Sequence, residues 1–563
     1  MPTVEVERED LESLLGFKLP EEEDRLNEVL AYIKGEVKTS GEEELHIELK
    51  DSNRADVWGV EGIARALRGY LGVETGLKDY RVAGFSGVEV QVDSRLENIR
   101  PYIACTVVKG VKLTDAAIRQ IMHFQDKMDQ TYGRSRRKTS IGLYDFDLVD
   151  PPLRYGVAKP TEVSFVPLDF DEKLTLEEIL EKHPKGIEYS HIVRKFPVWP
   201  IFKDSQDKVL SFPPIINSND LGKVTAQTKN VLVEVTGTAY ETVLRTLTNV
   251  TVALADRGGT IYSAKIHYSY DGVSEVTTPN LDAQKLDLDV GYVRKVVGIN
   301  LKLSEIKVLL EKARYGIAEA SESKITVQVP CYRVDVLHPI DVVEDIAIAY
   351  DYNKIQPRWP QLITIGRLSS EEDFRNIIRE LMVGLGFQEV LTYVTTNPEV
   401  LFTKMNLKPE KVVEIANPKI VSMRSLRNWL LPNLMEFLSH NTHVEYPQKI
   451  FEVGYCVIHD EKRENKTRDV EKLACVITHS NAGFTEAKSI LEALLTSVGL
   501  KYRLEEMEFG SFIAGRTGRI LVQENDLGII GEIHPQVLQN WGLENPAAAF
   551  EIDVSKMQQL VQK

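Results

Sequence analysis

The run PCYRVDVLHPIDVVEDIAIAYDY, from Pro330 to Tyr352, sets four acids, Asp335, Asp341, Glu344 and Asp345, around a short turn. Ile325, Val327 and Val329 alternate with polar residues ahead of it and predict a strand. Val342, Val343, Ile346, Ala347 and Tyr350 cover one face of a predicted helix after it. On that helix Asp341, Glu344 and Asp345 stand one turn apart and project together, and Asp335 joins them from the strand end. Carboxylates so close repel one another, and their oxygen-only chemistry suits a hard cation such as Mg²⁺. The same spacing also suits a helix start. Asp341 fits an N-cap, Glu344 completes a capping-box-like pattern, and acids in a first turn complement the helix dipole. The two roles are compatible.

The composition limits what surrounds these acids. A chain of 563 residues implies several domains, and 43% hydrophobic content is ordinary for globular folds. No apolar run is long enough to span a bilayer, so no membrane partner is expected. The opening MPTVEVEREDLE is acidic and lacks the apolar stretch of a signal peptide. Cys105, Cys331, Cys456 and Cys475 are scattered without a C-x-x-C pair, which points to a reducing, cytoplasmic setting and away from zinc. A net charge of −16 argues against a protein whose main task is to coat nucleic acid. A local phosphate contact through RSRRK, Arg134 to Lys138, stays open beside a plain solvated loop.

Periodicity and turn signals predict an α/β (α+β) multidomain chain with four regions. Residues 1–83 form an N-terminal α+β domain, with a short helix at DLESLLG, a strand at HIELK and an amphipathic helix at VEGIARALRGYLG. Residues 84–278 open with the strands VEVQVDS and IACTVVKGV, followed by a helix from Thr114 to about Tyr132, and include the alternating strand VLVEVTGT. Residues 279–356 hold the four acids and a helix from Ser304. PRWPQ reads as a linker. Residues 366–563 start with a helix whose stripe is Phe374, Ile377, Ile378 and Leu381. A second helical stretch, SLRNWLLPNLMEFLSHN, is interrupted at Pro432, and KIFEVGYCVI and RILVQENDLGIIGEIH are antiparallel strands. His534, before a proline, reads as a packed or capping residue. Arg424 and Arg427 read as groups reaching a partner or RNA, or as the solvated face of a helix.

The acid motif, D-x5-D-x2-E-[DE] before an apolar helix ending Y-x-Y, resembles the metal-binding B5-type domain of phenylalanyl-tRNA synthetase β subunits. DVWGVEGIARALRGYLG, SIGLYDFD, FPPIINS and NPKIVSMRSLRNWLLPNL follow in the order of the archaeal and eukaryotic version of that family, over nearly the whole chain. The resemblance implies Mg²⁺ held by Asp335, Asp341, Glu344 and Asp345 near an α-subunit contact. It further implies an α₂β₂ complex that joins phenylalanine to tRNA(Phe) with ATP. Residues 84–278 would be an editing domain that hydrolyses tyrosine wrongly attached to that tRNA. Residues 366–563 would be a class II synthetase-like antiparallel sheet with flanking helices, catalytically inactive.

The residues of the last region fit that inactivity. KIFEVG stands where class II enzymes begin a strand with an ATP-binding arginine, and Ile450 is there instead. GIIGEIHPQVLQNWGL shows no glycine-rich strand ending in an arginine, and no phosphate-binding G-x-x-x-x-G-K-[ST] loop replaces it. ATP chemistry is therefore expected on the α subunit. For editing, the candidates are Asn217 and Ser218 on the proline-stiffened FPPIINSND loop, and Glu234 and Thr236 on VLVEVTGT, with Glu234 able to accept a tyrosine hydroxyl or orient water. Read without the resemblance, the first pair is a turn and Glu234 a solvent-facing strand residue. Two other readings share the fold: a scaffold subunit without editing, and a free-standing hydrolase of mischarged tRNA. The interface-like helix MRSLRNWLLPNL counts against the second.

Overall fold

The computed structural model describes residues 3–40, 44–51, 53–270 and 275–561. The chain divides into two units, Met1–Arg358 and Trp359–Lys563. PRWPQ lies across that division, without regular structure, and Trp359 is 95% exposed.

The first unit carries three mixed α/β layers. At its start Glu44–Leu49 pairs antiparallel with Thr3–Glu7 on one side and Gly35–Ser40 on the other. The helix Arg8–Leu15 buries Leu11 and Leu15 against this layer. The helix Val60–Tyr70 departs from its amphipathic reading, because ten of its eleven residues are buried. Its charged members pair with the helix Tyr240–Asp256 and the residue after it: Arg65 donates to Asp256 at 2.6 Å and Glu61 accepts from Arg257. Gly62 and Gly69 are required by close approach, since a Cβ there would collide with the carbonyls of Asp56 and Lys312.

Residues 82–278 form a ten-stranded sheet among the described residues. From one edge its order is Ile216–Asn217, Val209–Phe212, Trp199–Lys203, Leu153–Ala158, Val82–Val92, Thr260–His267, Tyr102–Lys109, Asn230–Gly237 and Thr139–Asp145, with Glu275–Thr278 also on Thr260–His267. Asn230–Gly237 sits between two antiparallel neighbours. Val231, Val233 and Val235 face the helices Asp115–Gln130 and Tyr240–Asp256. The opposite face of the same strand carries Leu232 toward Cys105 and Tyr144, so the strand is buried on both sides and its polar residues lie inside the protein. A third, three-stranded sheet, Gln284–Asp289, Lys324–Val329 and Gly316–Ala320, is covered by the helices Val290–Val297, Leu303–Lys312 and Pro339–Tyr350.

The second unit is built on a seven-stranded sheet among the described residues. Its order is Gln388–Glu389, Gln448–His459, Thr467–Thr478, Ala547–Asp553, Asn525–Ile533, Phe512–Val522 and Tyr502–Glu506, antiparallel except at the first pair. Ser370–Gly384, Phe484–Ser497 and Val554–Val561 pack on one face, and Leu431–His440 and Pro535–Trp541 on the other. Two expectations are corrected here. Pro432 does not interrupt a helix but stands in the first turn of one beginning at Leu431, where its missing N–H costs nothing. In Ser370–Gly384 the buried stripe is Phe374, Ile378 and Met382, while Ile377 is 49% exposed. His534 caps Pro535–Trp541, its Nδ1 accepting from Gln536 N at 3.0 Å. Among the described residues no helix is long and apolar enough to cross a membrane.

Candidate active site and acid cluster

The helix Pro339–Tyr350 starts one turn earlier than its acids suggest. His338 is the N-cap, and Asp341 is the third helical residue, accepting from Leu337 N at 2.9 Å and His338 N at 2.8 Å. Asp341 is thus the carboxylate half of a capping box rather than the cap itself. Glu344 points outward and pairs with Lys34 at 2.6 Å. Asp335 and Asp345 turn inward onto one guanidinium. Arg333 donates from Nε to Asp335 at 2.8 Å, and from Nη2 to Asp335 at 2.7 Å and Asp345 at 2.8 Å. Asp345 also accepts from Tyr315 Oη at 2.6 Å and Tyr70 Oη at 3.3 Å. Burial pushes the Asp335 carboxyl up, but the Arg333 charge and hydrogen bonds outweigh it and hold the group below the ordinary carboxylate range. In this arrangement the four acids do not share one site. Among the described residues no three metal-binding side chains converge, and a cation is already present between Asp335 and Asp345.

The second group of candidates meets at a cavity of about 430 Å³ on the large sheet. Its wall includes Asn217, Glu234, Ser140, Ser211 and Leu143, and its rim carries Lys185 and Lys223. Asn217 comes from the short edge strand Ile216–Asn217, and Glu234 from Asn230–Gly237, the strand next to the opposite edge of the sheet; Pro213, Pro214 and Ile215 also line the cavity. Glu234 is only 2% exposed, so the expected solvent-facing alternative does not hold. Its Oε2 accepts from Tyr144 Oη at 2.8 Å, and Oε1 is buried with no hydrogen-bond donor. Burial pushes this carboxyl up to about 7, against the pull of Tyr144, Arg100 and Thr236.

Ser218 and Thr236 do not line this cavity. Ser218 is buried in the chain turn behind it, where its hydroxyl accepts from Leu221 N at 3.3 Å. Thr236 is held by Arg100, whose Nε donates to its hydroxyl at 2.9 Å and whose Nη2 donates to its carbonyl at 2.7 Å. Arg100 and Tyr144 are site residues that the sequence did not reveal, since both lie far along the chain from Glu234. RSRRK is also split by the fold. Arg136 is buried, faces Asp129 at 3.1 Å and donates to Ile215 O at 2.8 Å, so it fastens the turn at Ile215. Arg134 and Arg137 stay exposed.

Comparison with known proteins decides the family. The chain is 47% identical to the phenylalanine–tRNA ligase β subunit of Pyrococcus abyssi over 98% of its own length and 99% of that protein's. The chain belongs to this β-subunit family. It is likewise 41% identical to the β subunit of Methanocaldococcus jannaschii, over 98% of this chain and all of that one. The profile of the phenylalanyl-tRNA synthetase β chain CLM domain matches residues 355–554, and that of the tRNA synthetase B5 domain matches 286–352. A crystal structure of an N-terminal fragment of the Pyrococcus horikoshii β subunit superposes with a TM-score of 0.60 at 40% identity, covering 62% of this chain and all of the fragment.

Within this β-subunit family member, the CLM-matching unit has its own buried ion pair. Arg427 lies 2.8 Å from Glu452 and donates to Thr392 Oγ1 at 2.8 Å. Arg427 is 2% exposed and therefore reaches neither a partner nor solvent, whereas Arg424 is exposed. Glu452 is committed to Arg427 and to Thr392 Oγ1 at 2.6 Å.

Proposed function

We propose that this chain is the β subunit of a cytoplasmic phenylalanine–tRNA ligase. It works with an α subunit as an α₂β₂ complex that charges tRNA(Phe) using ATP. Phenylalanine and ATP are bound by the α subunit, because the second unit lacks the arginines that would grip a phosphate. Its sheet and flanking helices serve as a class II-like scaffold for assembly.

The first unit removes tyrosine from tRNA(Phe). Tyrosine is phenylalanine plus one hydroxyl, and an apolar selection site rejects an added hydroxyl poorly. A second site can do the reverse by presenting a buried acceptor that phenylalanine would leave unpaired. The observation that carries this reading is Glu234 on the cavity wall, desolvated, with Oε1 lacking a donor. The tyrosyl phenol would donate to that oxygen, and the Asn217 amide would bear on the substrate from the facing edge strand. Water attacks the ester carbonyl carbon, the bond to the ribose oxygen breaks, and the proton from water ends on that ribose oxygen. Lys185 and Lys223 at the rim suit the anionic acceptor end. Co-expression with an α subunit tests the reading. The purified complex should charge phenylalanine, and Asn217→Ala should slow release of tyrosine from tyrosyl-tRNA(Phe) while leaving charging nearly intact. A chain that purifies alone, or equal losses of both activities, would count against it.

The Mg²⁺ implied by the family does not fit the four acids as they stand in the free chain. Its binding is proposed only for the assembled complex, where Asp341 and Glu344, on the outer side of the helix, would be the first groups to meet it. Metal analysis of the complex before and after Asp335→Asn with Asp341→Asn decides this. Unchanged Mg²⁺ content would leave capping and the Arg333 pair as the acids' whole role.

A further inference from the structure

Glu234 has two carboxylate oxygens, and the fold treats them differently. Oε2 receives the Tyr144 hydroxyl at 2.8 Å, and Oε1 has no donor. The same hydroxyl is 3.5 Å from Asn217 Oδ1, so the Tyr144 oxygen stands between the two side chains that line the cavity from opposite strands. A phenol has one proton to donate, and the shorter contact to a carboxylate takes it. Tyr144 is itself fixed: it is fully buried, lies on the strand next to Glu234 and meets the Phe202 ring edge-on at 6.2 Å. Gly142, directly opposite Glu234 on that strand, leaves the room the pair needs, because a Cβ there would collide with the Tyr144 hydroxyl and with Glu234 Oε2.

We infer that Tyr144 is a positioning residue of the editing site, occupying one oxygen of Glu234 so that the other faces the cavity as a preset acceptor for a substrate hydroxyl. The inference rests on the editing function proposed above. Without the Tyr144 hydroxyl the carboxyl group would be free to turn either oxygen inward. A group held in one orientation by packing and a second hydrogen bond binds at lower ordering cost than one that must be immobilised.

The charge state of Glu234 follows the same contact. Five groups bear on it: Thr236 from its own strand, Tyr144 from one neighbouring strand, Cys105 from the other, Arg100 from the chain ahead of that strand, and Tyr155 from Leu153–Ala158. Burial is the largest influence and raises its pKa, and the Tyr144 hydrogen bond opposes that rise. Removing the hydroxyl therefore moves the carboxyl further up. The ionised form is the better acceptor, so the rising limb of deacylation against pH should shift to higher pH.

The test uses the full-length chain in its complex and three variants, Tyr144→Phe, Gly142→Ala and Glu234→Gln, with tyrosyl-tRNA(Phe) as substrate. Tyr144→Phe should lower kcat/KM by about ten-fold, mainly through KM, and shift the rising limb upward. Gly142→Ala, which keeps both side chains but forces them apart, should give the same KM change. Charging of phenylalanine should be unchanged in each. If Glu234→Gln abolishes deacylation while Tyr144→Phe leaves both KM and the pH limb in place, the positioning role is wrong and the editing site stands. If Glu234→Gln has no effect, the editing site itself is misplaced.

Discussion

Arg333→Met removes the cation shared by Asp335 and Asp345 while keeping an apolar side chain of similar length. The three side chains are 3%, 6% and 6% exposed in the ion pairs they form. Three charge-assisted hydrogen bonds disappear, and two carboxylates are left in a site from which water is excluded. Breaking a buried pair from one side costs about 3–5 kcal/mol, because the remaining charge is uncompensated. The pH dependence gives a second reading. In the native chain Asp335 sits below the usual carboxylate range, so its contribution is present above the unfolded pKa of about 3.9 and is lost as pH falls through the lower folded value. In the variant burial is unopposed, the folded pKa rises above the unfolded one, and stability is instead lost as pH rises between them. The deficit relative to the parent should thus be larger at pH 7 than at pH 4. Urea denaturation followed by the fluorescence of Trp58 and Trp199, both in the first unit, reads this out. Adding Asp335→Asn and Asp345→Asn to Arg333→Met should recover much of the loss, since the uncompensated charges go with them. A deficit below about 1 kcal/mol, or one independent of pH, would refute the reasoning, because it would mean that water or another cation takes the place of Arg333.

The lone chain should not catalyse phenylalanine-dependent exchange of pyrophosphate into ATP, and any such exchange by a preparation free of the α subunit would contradict the division of labour. Limited proteolysis should cut first between Arg358 and Leu368, where Trp359, Ile363 and Ile365 are at least 95% exposed, and mass spectrometry of the first two fragments checks it. Arg427→Met should destabilise the second unit by about 3 kcal/mol or more by stranding Glu452, while Arg424→Met, at an exposed position, should change its denaturation midpoint little.

Local signals in the sequence carried the elements further than they carried the site. The Thr114 cap, the alternation in VLVEVTGT and the helix at VEGIARALRGYLG each specify an element through nearest-neighbour chemistry, and the structure has a helix or strand at each. Burial is another matter. Alternation cannot show that both faces of Asn230–Gly237 are covered, because the covering helices lie elsewhere in the chain. The same limit applies to the cavity. Asn217 and Glu234 line it together, whereas Ser218 is tied into a chain turn and Thr236, on the same strand face as Glu234, is held by Arg100, and those partners are set by the fold rather than by residue type. In the acid motif the spacing suggested a cluster, yet Arg333, two residues before Asp335, already neutralises its buried half. Arg333 and Asp335 lie in the turn between Lys324–Val329 and Pro339–Tyr350, beyond the strand end, so no strand or helix period in the sequence pairs them.

Single-turnover hydrolysis of tyrosyl-tRNA(Phe) by the assembled complex, parent against Glu234→Gln, tests the central claim most directly. The exchange keeps the shape and burial of the side chain and alters what it offers a phenol. The account predicts that tyrosine release falls by at least about ten-fold while phenylalanine charging by the same preparation is unchanged. Tyrosine release at the parent rate would contradict it.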